Sequence, residues 1–310
     1  MANLNQLDWD NLRIFLGVAR ARSGLEAAQA LGIDQSTISR RIRRLEADIG
    51  SRLFDRNSQG HRLTGTGHRL LEHVEKLESM LAVVESDVFG DDMALTGEIR
   101  LGATEAFGSS FLAPQLANFC LRHPAISVDL LPMPRNVNLS KREADASVTI
   151  DRPTTDSFVT SQLAEYRLLP YATRSYLEQR APIRDIADLA HPRWIDYVDD
   201  LLFADQQVSL RKWLPAARPF FRSTSVIAQL QAVRSGLGIA LLPCFLASRD
   251  SALVPVLPEL VNITRHFWLV APAERRELAR IKALWSYLQQ VADLNRDFLL
   301  GRSNEIRWLA

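Results

Sequence analysis

The sequence has few of the features that mark secreted or membrane-bound proteins. Only two cysteines occur among 310 residues. Both Cys120 and Cys244 stand in apolar surroundings, so we expect buried free thiols rather than a disulfide framework. The first ten residues contain neither a basic nor an apolar segment, so we expect no signal peptide. The longest apolar run, near 237–246, is broken by Gly238 and Pro243 and is too short to cross a bilayer. We therefore expect a cytoplasmic protein with no membrane partner.

Sequence patterns of enzymes and metal sites are also missing. The fragments at residues 65–67 (GTG) and 236–238 (GLG) lack the third glycine and the flanking strand of a dinucleotide-binding loop. Neither a phosphate-binding loop ending in Lys-Ser or Lys-Thr nor a G-x-S-x-G nucleophile motif occurs. His68 and His73 stand five apart, which does not place them on one helical face for a metal. We therefore expect no catalytic residues, no metal site and no cofactor.

The chain does contain a helix with two opposed faces, at residues 35–49. Successive residues turn by about 100°, which puts aliphatic side chains on one stripe and short hydroxyl and guanidinium groups on the opposite one. The aliphatic stripe consists of Ile38, Ile42, Leu45 and Ile49, and the polar stripe of Ser36, Ser39, Arg40 and Arg43, with Arg41 and Arg44 at its edges. Asp34 is the expected N-cap. Because arginine forks suit phosphates and guanine edges, the pattern fits either a DNA-reading helix or an arginine-rich surface helix.

The segments before this helix favour DNA binding. A helix at 8–20 and a short helix at 24–31 precede a glycine turn and the polar helix, which is the order of a helix-turn-helix. Residues 1–68 carry ten Arg or Lys against seven Asp or Glu. A locally basic region of this kind is expected of a nucleic-acid-binding surface.

A short hairpin follows the polar helix. Strands are expected at 52–56 and 61–63, on either side of a turn-rich segment. We interpret the hairpin as a wing in which Arg56, His61 or Arg62 touches the DNA backbone or minor groove. A plain surface hairpin is the alternative.

A long helix begins near Thr64. Apolar residues repeat four and three positions apart along it, at Leu70, Val74, Leu77, Leu81, Val84 and Val88. This is the seam of a coiled coil, and nothing nearby in the sequence would bury it. We therefore expect a dimerisation helix, the alternative being a long helix that lies on its own domain.

Beyond a hinge near 91–97, short apolar strands alternate with helices in two successive sets. The strands are expected at 98–103, 126–131, 146–150, 194–198, 219–222, 238–242 and 266–271, and helices include 111–122, 205–214 and 274–291. Such alternation predicts mostly parallel sheets, and two sets predict two lobes with a cleft between them.

These motifs, in this order, resemble the LysR-type transcriptional regulators over essentially the whole chain. The matching stretches are WDNLRIFLGVA, AAQALGIDQSTISRRIRRLEADIG, SRLFDR, RLTGTG and, later, GLGIALLP. The resemblance implies an α plus α/β fold with a winged helix-turn-helix at 1–63, a linker and dimerisation helix at 64–90, and an effector-binding domain at 91–310. This last domain would have two Rossmann-like lobes, as in periplasmic binding proteins: lobe I at about 97–165 and 267–310, and lobe II at about 166–266.

The function implied by the resemblance is sequence-specific DNA binding by a transcriptional regulator under the control of a small-molecule effector held between the lobes. Its partners would be double-stranded DNA with a two-fold operator, the effector, and further copies of the chain in a homodimer or homotetramer. A Rossmann-type enzyme with an appended helical domain is one alternative, which the missing enzyme motifs disfavour. A solute-binding scaffold is the other, which the wing and the arginine stripe disfavour.

The resemblance also assigns DNA contacts. The positions that approach bases match Gln35, Ser36, Ser39 and Arg40, and Arg56 matches a wing position near DNA. With the helical stripe, the candidate DNA contacts are Gln35, Ser36, Thr37, Ser39, Arg40, Arg43, Arg44, Arg56, His61 and Arg62. We expect Arg40 to contact a base and Arg43 the backbone. Arg41 and Arg44 would contact phosphates or pair within the protein.

For the effector, the resemblance implies residues just past the first strand and at helix N-termini. The candidates are Thr104, Glu105, Arg152, Tyr197 and Ser225. Thr104 and Ser225 could donate hydrogen bonds to an anionic group at a helix terminus, although a simple N-cap is the alternative for each. Glu105 is an odd neighbour for an anion. We therefore expect either an effector with cationic or hydroxyl character or a Glu105 side chain that points away.

Overall fold

The computed structural model describes residues 7–21, 24–57, 60–89, 95–133, 135, 137, 139, 143–155, 157–204, 207 and 209–309. The chain divides into two compact units, Met1–Glu85 and Ser86–Ala310, and each is considered by itself. Across the described ranges, no helix is long and apolar enough to cross a membrane.

The N-terminal unit contains helices, a hairpin and a long helix in the order that the sequence predicts. These elements are α1 (Trp9–Arg20), α2 (Gly24–Leu31), α3 (Gln35–Ile49), β1 (Phe54–Asn57), β2 (Gly60–Leu63) and α4 (Gly65–Phe89). The Asp34 carboxylate caps the start of α3 by accepting the Thr37 N–H. Gly50, at a φ of 72°, ends it in the left-handed conformation that glycine adopts without strain.

The aliphatic stripe of α3 forms the centre of this unit. Leu45 is fully buried, and Ile38 and Ile42 are buried with it against Phe15 of α1. The Phe15 ring in turn lies 5.4 Å from the ring of Phe54, at the start of the hairpin. Full burial of each such side chain contributes about 1.5–3 kcal/mol, so this packing fixes which face of α3 is left for solvent.

One glycine of the RLTGTG stretch has a steric role. A Cβ added at Gly67 would overlap the carbonyl oxygen of Leu53. The Thr64 N–H donates to that same carbonyl, at 2.9 Å. The first turn of α4 therefore lies directly against the chain that enters the hairpin, and only glycine permits this approach.

The C-terminal unit is built on one continuous mixed sheet. Its strands are β3 (Gly97–Thr104), β4 (Ile126–Met133), β5 (Ala146–Thr149), β6 (Phe158–Thr173), β7 (Trp194–Asp196), β8 (Pro219–Arg222), β9 (Ile239–Pro243), β10 (Leu253–Pro255) and β11 (Ile263–Pro272). Their order is β4-β3-β5-β11-β6-β9-β7-β8, with β10 paired to β6. The prediction of mostly parallel sheets was wrong, because four described strand pairings are parallel and four are antiparallel.

The antiparallel pairs have a clear origin. Strands β6 and β11 pair from Ile263 opposite Leu168 to Pro272 opposite Phe158. They separate a parallel group, β3 to β5, from a second parallel group, β7 to β9. We call the first group lobe I and the second lobe II. The chain crosses between the lobes along β6 and returns along β11, so these two strands run in opposite directions.

The helices of the second unit cover this sheet. They are α5 (Glu105–Phe107), α6 (Ala113–Arg122), α7 (Arg174–Glu178), α8 (Leu210–Trp213), α9 (Val226–Arg234), α10 (Cys244–Ala247), α11 (Ala273–Arg276), α12 (Ala279–Leu294) and α13 (Arg296–Leu299), with a π-helical turn at Gly108–Leu112. Cys244 is buried and Cys120 partly buried, and both are free thiols.

Three predicted helices need correction. The helix expected at 274–291 is divided into α11 and α12, with Glu277 and Leu278 between them. Helical structure starts at Glu105 rather than at Phe111, because the extra turn places Phe107 between the rings of Phe111 and Phe267, at 5.0 and 3.9 Å. The helix predicted at 205–214 is reduced to α8. Residues 205, 206 and 208 lie outside the described residues.

The loop before α8 uses side chains in place of helical hydrogen bonds. The Gln207 side-chain oxygen accepts the Phe203 N–H at 2.8 Å. The Asp196 carboxylate accepts the Leu210 N–H at 2.9 Å. Local side-chain acceptors of this kind compete with helix formation, and Asp196 is too far away in sequence for the competition to be predicted.

Candidate nucleic-acid interface and ligand cavity

The polar face of α3 is exposed and carries three unpaired arginines. Arg40, Arg43 and Arg44 are exposed, and none of them forms an ion pair or hydrogen bond with another described residue. Gln35 and Ser36 are exposed at the start of the helix, and Ser39 is half-buried beside them. Because guanidinium groups bind phosphate and guanine in bidentate geometry, this face is equipped to bind an external polyanion.

Arg41 differs from the three unpaired arginines. Its guanidinium donates to the Asn11 side-chain oxygen at 3.2 Å and to Asp8 at 3.4 Å. Asn11 is fully buried and Asp8 caps α1. Of the two alternatives for Arg41, the structure therefore shows the intramolecular pairing, and Arg41 joins α3 to α1.

The first hydroxyls of α3 are engaged by the cap. The Ser36 hydroxyl donates to Asp34 at 2.5 Å and the Thr37 hydroxyl donates to the same carboxylate at 2.8 Å. These donors, with the Thr37 N–H, hold the pKa of Asp34 well below its usual range; the Ser36 hydrogen bond has the largest effect. The protons of Ser36 and Thr37 are thus directed to Asp34, which leaves acceptor lone pairs on both hydroxyl oxygens.

The hairpin follows α3 as predicted. Strands β1 and β2 are antiparallel, with Phe54 opposite Leu63 and Arg56 opposite His61. Arg62 is exposed. The side chains of Arg56 and His61 lie outside the described residues, so their assignment to the wing stays a prediction.

A groove of about 280 Å³ separates α3 from β1. Ser39, Arg43 and Arg52 line its polar side, and the Glu46 carboxylate at its base accepts the Leu53 N–H at 2.8 Å. Arg52 is exposed and was absent from the predicted contacts. Its place opposite Arg43 could not be seen in the sequence, because the helix must fold back onto the hairpin to create the groove.

The seam of α4 divides into a buried and an exposed part. Val74 is 1% exposed, and Leu70 packs against the same core. By contrast, Leu77, Leu81 and Val84 are 43%, 41% and 55% exposed. The first part therefore belongs to the N-terminal unit itself, and the second part is an apolar stripe that no described residue of the unit covers. The side chain of Val88 is not among those that the structure describes.

The C-terminal unit contains a partly open cavity of about 60 Å³ where lobe I meets lobe II. Thr104 and Glu105 form its wall at the end of β3, and Tyr197 and Thr224 contribute from lobe II. Gln207 adds an amide from lobe II, and the rest of the wall is apolar and aromatic, including Tyr166, Phe203, Phe245 and Phe267. A mostly apolar cavity with a few polar groups has the composition of a small-molecule site.

A hydrogen bond joins the lobes beside this cavity. The Ser225 hydroxyl donates to Glu105 Oε1 at 2.9 Å and accepts the Ala228 N–H at 3.1 Å. Ser225 is therefore the N-cap of α9, and its one proton is used by Glu105. The second carboxylate oxygen of Glu105 is buried and has no hydrogen-bond partner among the described residues.

Tyr197 stays a neutral phenol in this setting. Burial raises the pKa of Tyr197 well above its usual value, and the nearby charges of Asp196 and Glu105 raise it further. Of the five effector candidates, the structure thus brings Thr104, Glu105 and Tyr197 to the cavity wall, with Ser225 bonded to Glu105. Arg152 lies elsewhere, exposed, with its guanidinium 5.3 Å from the centre of the Trp268 ring.

Comparison with known proteins gives matches over both units. The family model described as "Bacterial regulatory helix-turn-helix protein, lysR family" matches residues 9–68, and "LysR substrate binding domain" matches residues 94–293. The transcriptional regulator PtxR of Pseudomonas aeruginosa is 27% identical, over 94% of this chain and 95% of the relative. DgdR of Burkholderia cepacia is 30% identical, over 84% of this chain and 88% of the relative.

Solved structures show the same fold. Full-length LysG of Corynebacterium glutamicum, described with bound effector Arg, superposes with a TM-score of 0.60 at 21% identity. It covers 92% of this chain and 99% of LysG.

Proposed function

Since the chain belongs to the LysR family of transcriptional regulators, it is a DNA-binding regulator that responds to an effector rather than an enzyme, and we propose which residues perform each step. Three surfaces are involved: the polar face of α3 for DNA, the exposed stripe of α4 for a second copy of the chain, and the inter-lobe cavity for the effector. A regulator that binds chromosomal DNA would work in the cytoplasm.

The polar face of α3 reads the operator. The observation that supports this most strongly is that Arg40, Arg43 and Arg44 are exposed without internal partners, while Arg41 beside them is paired. Arg40 contacts a base edge, together with Gln35 and Ser39. Arg43 and Arg44 contact phosphates, and Arg52 joins them from the far side of the groove. Arg62 contacts the backbone from the wing, with Arg56 and His61 as the other predicted wing contacts.

A gel-shift experiment tests this assignment. The full-length protein is titrated against labelled DNA from upstream of its own gene, and against a scrambled duplex of the same length and composition. Preference for the upstream DNA that is lost in Arg40→Ala supports the assignment. Full operator preference in that variant would exclude Arg40 as the base-reading residue.

The exposed stripe of α4 binds a second copy of the chain. Leu77, Leu81 and Val84 lie four and three positions apart, as in a helical seam, and no described residue of their own unit covers them. A two-fold protein would read a two-fold operator, with one recognition helix for each half-site. The dimer is the smallest assembly that this stripe supports, and the homotetramer is the alternative.

The effector occupies the inter-lobe cavity, where Thr104, Glu105 and Tyr197 reach it and Ser225 supports Glu105. Arg152 is omitted from this pocket because it packs on Trp268. A ligand that contacts both lobes favours the conformation in which it makes both sets of contacts, and so shifts the population of lobe arrangements.

A further inference from the structure

The charge of the inter-lobe cavity is unusual for a site that receives small acids. Glu105 is the one formally charged residue among the described residues that line the cavity, and its charge is negative. No Arg, Lys or His side chain occurs in that described lining to balance an incoming carboxylate. An anionic ligand would therefore meet repulsion without compensation.

The usual anion-binding position is already filled from within the protein. The N-terminus of α9 carries a partial positive charge, and the Glu105 carboxylate lies there, hydrogen-bonded to the cap residue Ser225 at 2.9 Å. The Ser225 hydroxyl has no second proton to offer a ligand, and Tyr197 is a neutral phenol. A carboxylate of the protein itself therefore occupies the N-terminus of α9.

The second carboxylate oxygen of Glu105 lacks a hydrogen-bond donor within the described part of the chain. Its Oε2 atom is buried without a hydrogen-bond partner among the described residues. A buried carboxylate oxygen that lacks a donor costs about 1–3 kcal/mol or more. A ligand that brings a donor to Oε2 would remove this penalty, and a positively charged donor would form the stronger, charge-assisted bond.

The surrounding wall suits the apolar part of such a ligand. Tyr166 and Phe267 are stacked with ring centres 4.2 Å apart, and Phe107 stacks on Phe267 at 3.9 Å. These ring faces are turned to one another, so the aromatic wall offers apolar contact to a short alkyl chain, and Glu105 alone recognises the positive charge. A bare metal ion fits less well, since it requires several oxygen ligands and the described wall offers a single carboxylate.

We infer that the effector is a small organic cation, whose ammonium or amidinium group donates to Glu105 Oε2 while its short apolar part lies against the aromatic wall. This rests on the proposed role of the cavity as the effector site. The cavity volume of about 60 Å³ limits the ligand to a few non-hydrogen atoms in this lobe arrangement, since one water requires about 10–15 Å³ by the same measure.

Three probes of similar size test the charge requirement. The full-length protein is titrated with n-butylammonium chloride, sodium butyrate and n-butanol at constant ionic strength and pH 7, followed by thermal unfolding and calorimetry. We expect n-butylammonium to raise the unfolding temperature and to bind at least tenfold more tightly than n-butanol, with butyrate weakest. Tighter binding of butyrate than of n-butylammonium, or binding of none of the three, would overturn the proposal.

A matched pair of variants tests whether Glu105 binds the cation. Glu105→Gln removes the charge at nearly constant shape, and we expect it to weaken n-butylammonium binding at least tenfold. The control Glu259→Gln removes an exposed carboxylate of the same unit and should bind like the wild type. Unchanged n-butylammonium affinity in Glu105→Gln would contradict the inference. If this variant does not fold, the comparison of the three probes on the wild-type protein still tests the charge requirement.

Operator binding separates this inference from the proposed function. The gel shift is repeated in the absence of ligand with the wild type and with the control Glu259→Gln, where we expect equal operator affinity. If the cation series fails while the wild type still binds its operator, the inference about the ligand is wrong and the DNA-binding function stands. If the wild type shows no operator preference at all, the proposed function itself has failed.

Discussion

Arg20 at the end of α1 forms a bidentate ion pair with Glu78 of α4. The two N–H···O distances are 3.0 and 2.7 Å, and Glu75 lies 3.5 Å from the same guanidinium. Arg20 and Glu78 are 58 positions apart, so this contact holds the long helix against the first one. The orientation of α4 on the core of the N-terminal unit is therefore set by this ion pair as well as by the burial of Val74.

Loss of this ion pair should destabilise the N-terminal unit. We expect Arg20→Ala to lower the free energy of unfolding by about 1–2 kcal/mol, because a bidentate pair with favourable geometry exceeds an ordinary surface pair. Arg13→Ala is the control. Its pair with Asp10 is a single 3.6 Å contact between exposed side chains, and its loss should change stability by less than about 0.5 kcal/mol. Urea unfolding of the full chain measures both, and equal effects would refute a special role for Arg20.

The arginines of α3 should separate into three classes. Arg40→Ala should lose about 1–3 kcal/mol of preference for the operator over scrambled DNA, since it removes a base contact. Arg43→Ala should weaken binding to both duplexes alike and reduce the salt dependence by about one unit of slope. These values come from gel shifts at several salt concentrations.

Arg41→Ala should affect folding rather than DNA binding, and it is the internal control for the two other arginine variants. Because Arg41 donates to Asn11 and Asp8, its removal should lower the stability of the N-terminal unit and leave the salt slope unchanged. A salt slope reduced as much as in Arg43→Ala would place Arg41 on the DNA instead.

The exposed stripe of α4 should control association. We expect Leu81→Glu to shift the protein from dimer towards monomer in sedimentation velocity at micromolar concentration, because it places a charge in the proposed apolar contact. Lys76→Glu changes an exposed residue of the same helix outside the stripe and should leave association unaltered. Dimers that persist in Leu81→Glu would show that α4 is not the association surface.

Acid should act on α3 through its cap. The folded state depresses the pKa of Asp34 below its ordinary value of 3.8, so the unfolded state takes up the proton first as pH falls. The stabilisation is therefore fully present well above pH 3.8 and decreases as the pH falls through and below that value. We expect the stability difference between wild type and Asp34→Asn to be constant from pH 7 to about 5 and to move against the wild type from about pH 4 downwards. Denaturant unfolding across this range measures it, and a constant difference down to pH 3 would exclude the cap carboxylate as the titrating group.

The sequence predicts best where the determinants are local. The cap at Asp34, the aliphatic repeat and Gly50 all lie within or next to α3, and the structure gives α3 the predicted range Gln35–Ile49. The helix predicted at 205–214 failed because Asp196 captures the Leu210 N–H from fourteen positions away. The spacing of apolar residues along the chain carries no information about a hydrogen-bond acceptor that is so distant in sequence.

The cavity illustrates the same distinction. Glu105 could be recognised as unusual from its place after a strand. Whether its side chain lines the cavity or turns away depends on Ser225, 120 positions later in the chain. Arg152, by contrast, looked suitable because it follows a strand, but the aromatic partner Trp268 comes from β11, which the sequence alone does not bring beside it.

In the proposed dimer, helix α4 would also set the geometry of the two recognition helices. It holds Val74 in the core of the N-terminal unit and would present Leu77, Leu81 and Val84 to the second copy, so the number of residues between Val74 and this stripe would set the angle between the two DNA-binding units. One residue inserted after Val74 would rotate the exposed stripe by about 100° and advance it by about 1.5 Å. The two recognition helices would then face different sides of the duplex, and footprinting would show half-site binding without cooperation. The spacing of the operator half-sites would then depend on a helix to which the proposal assigns no base contact.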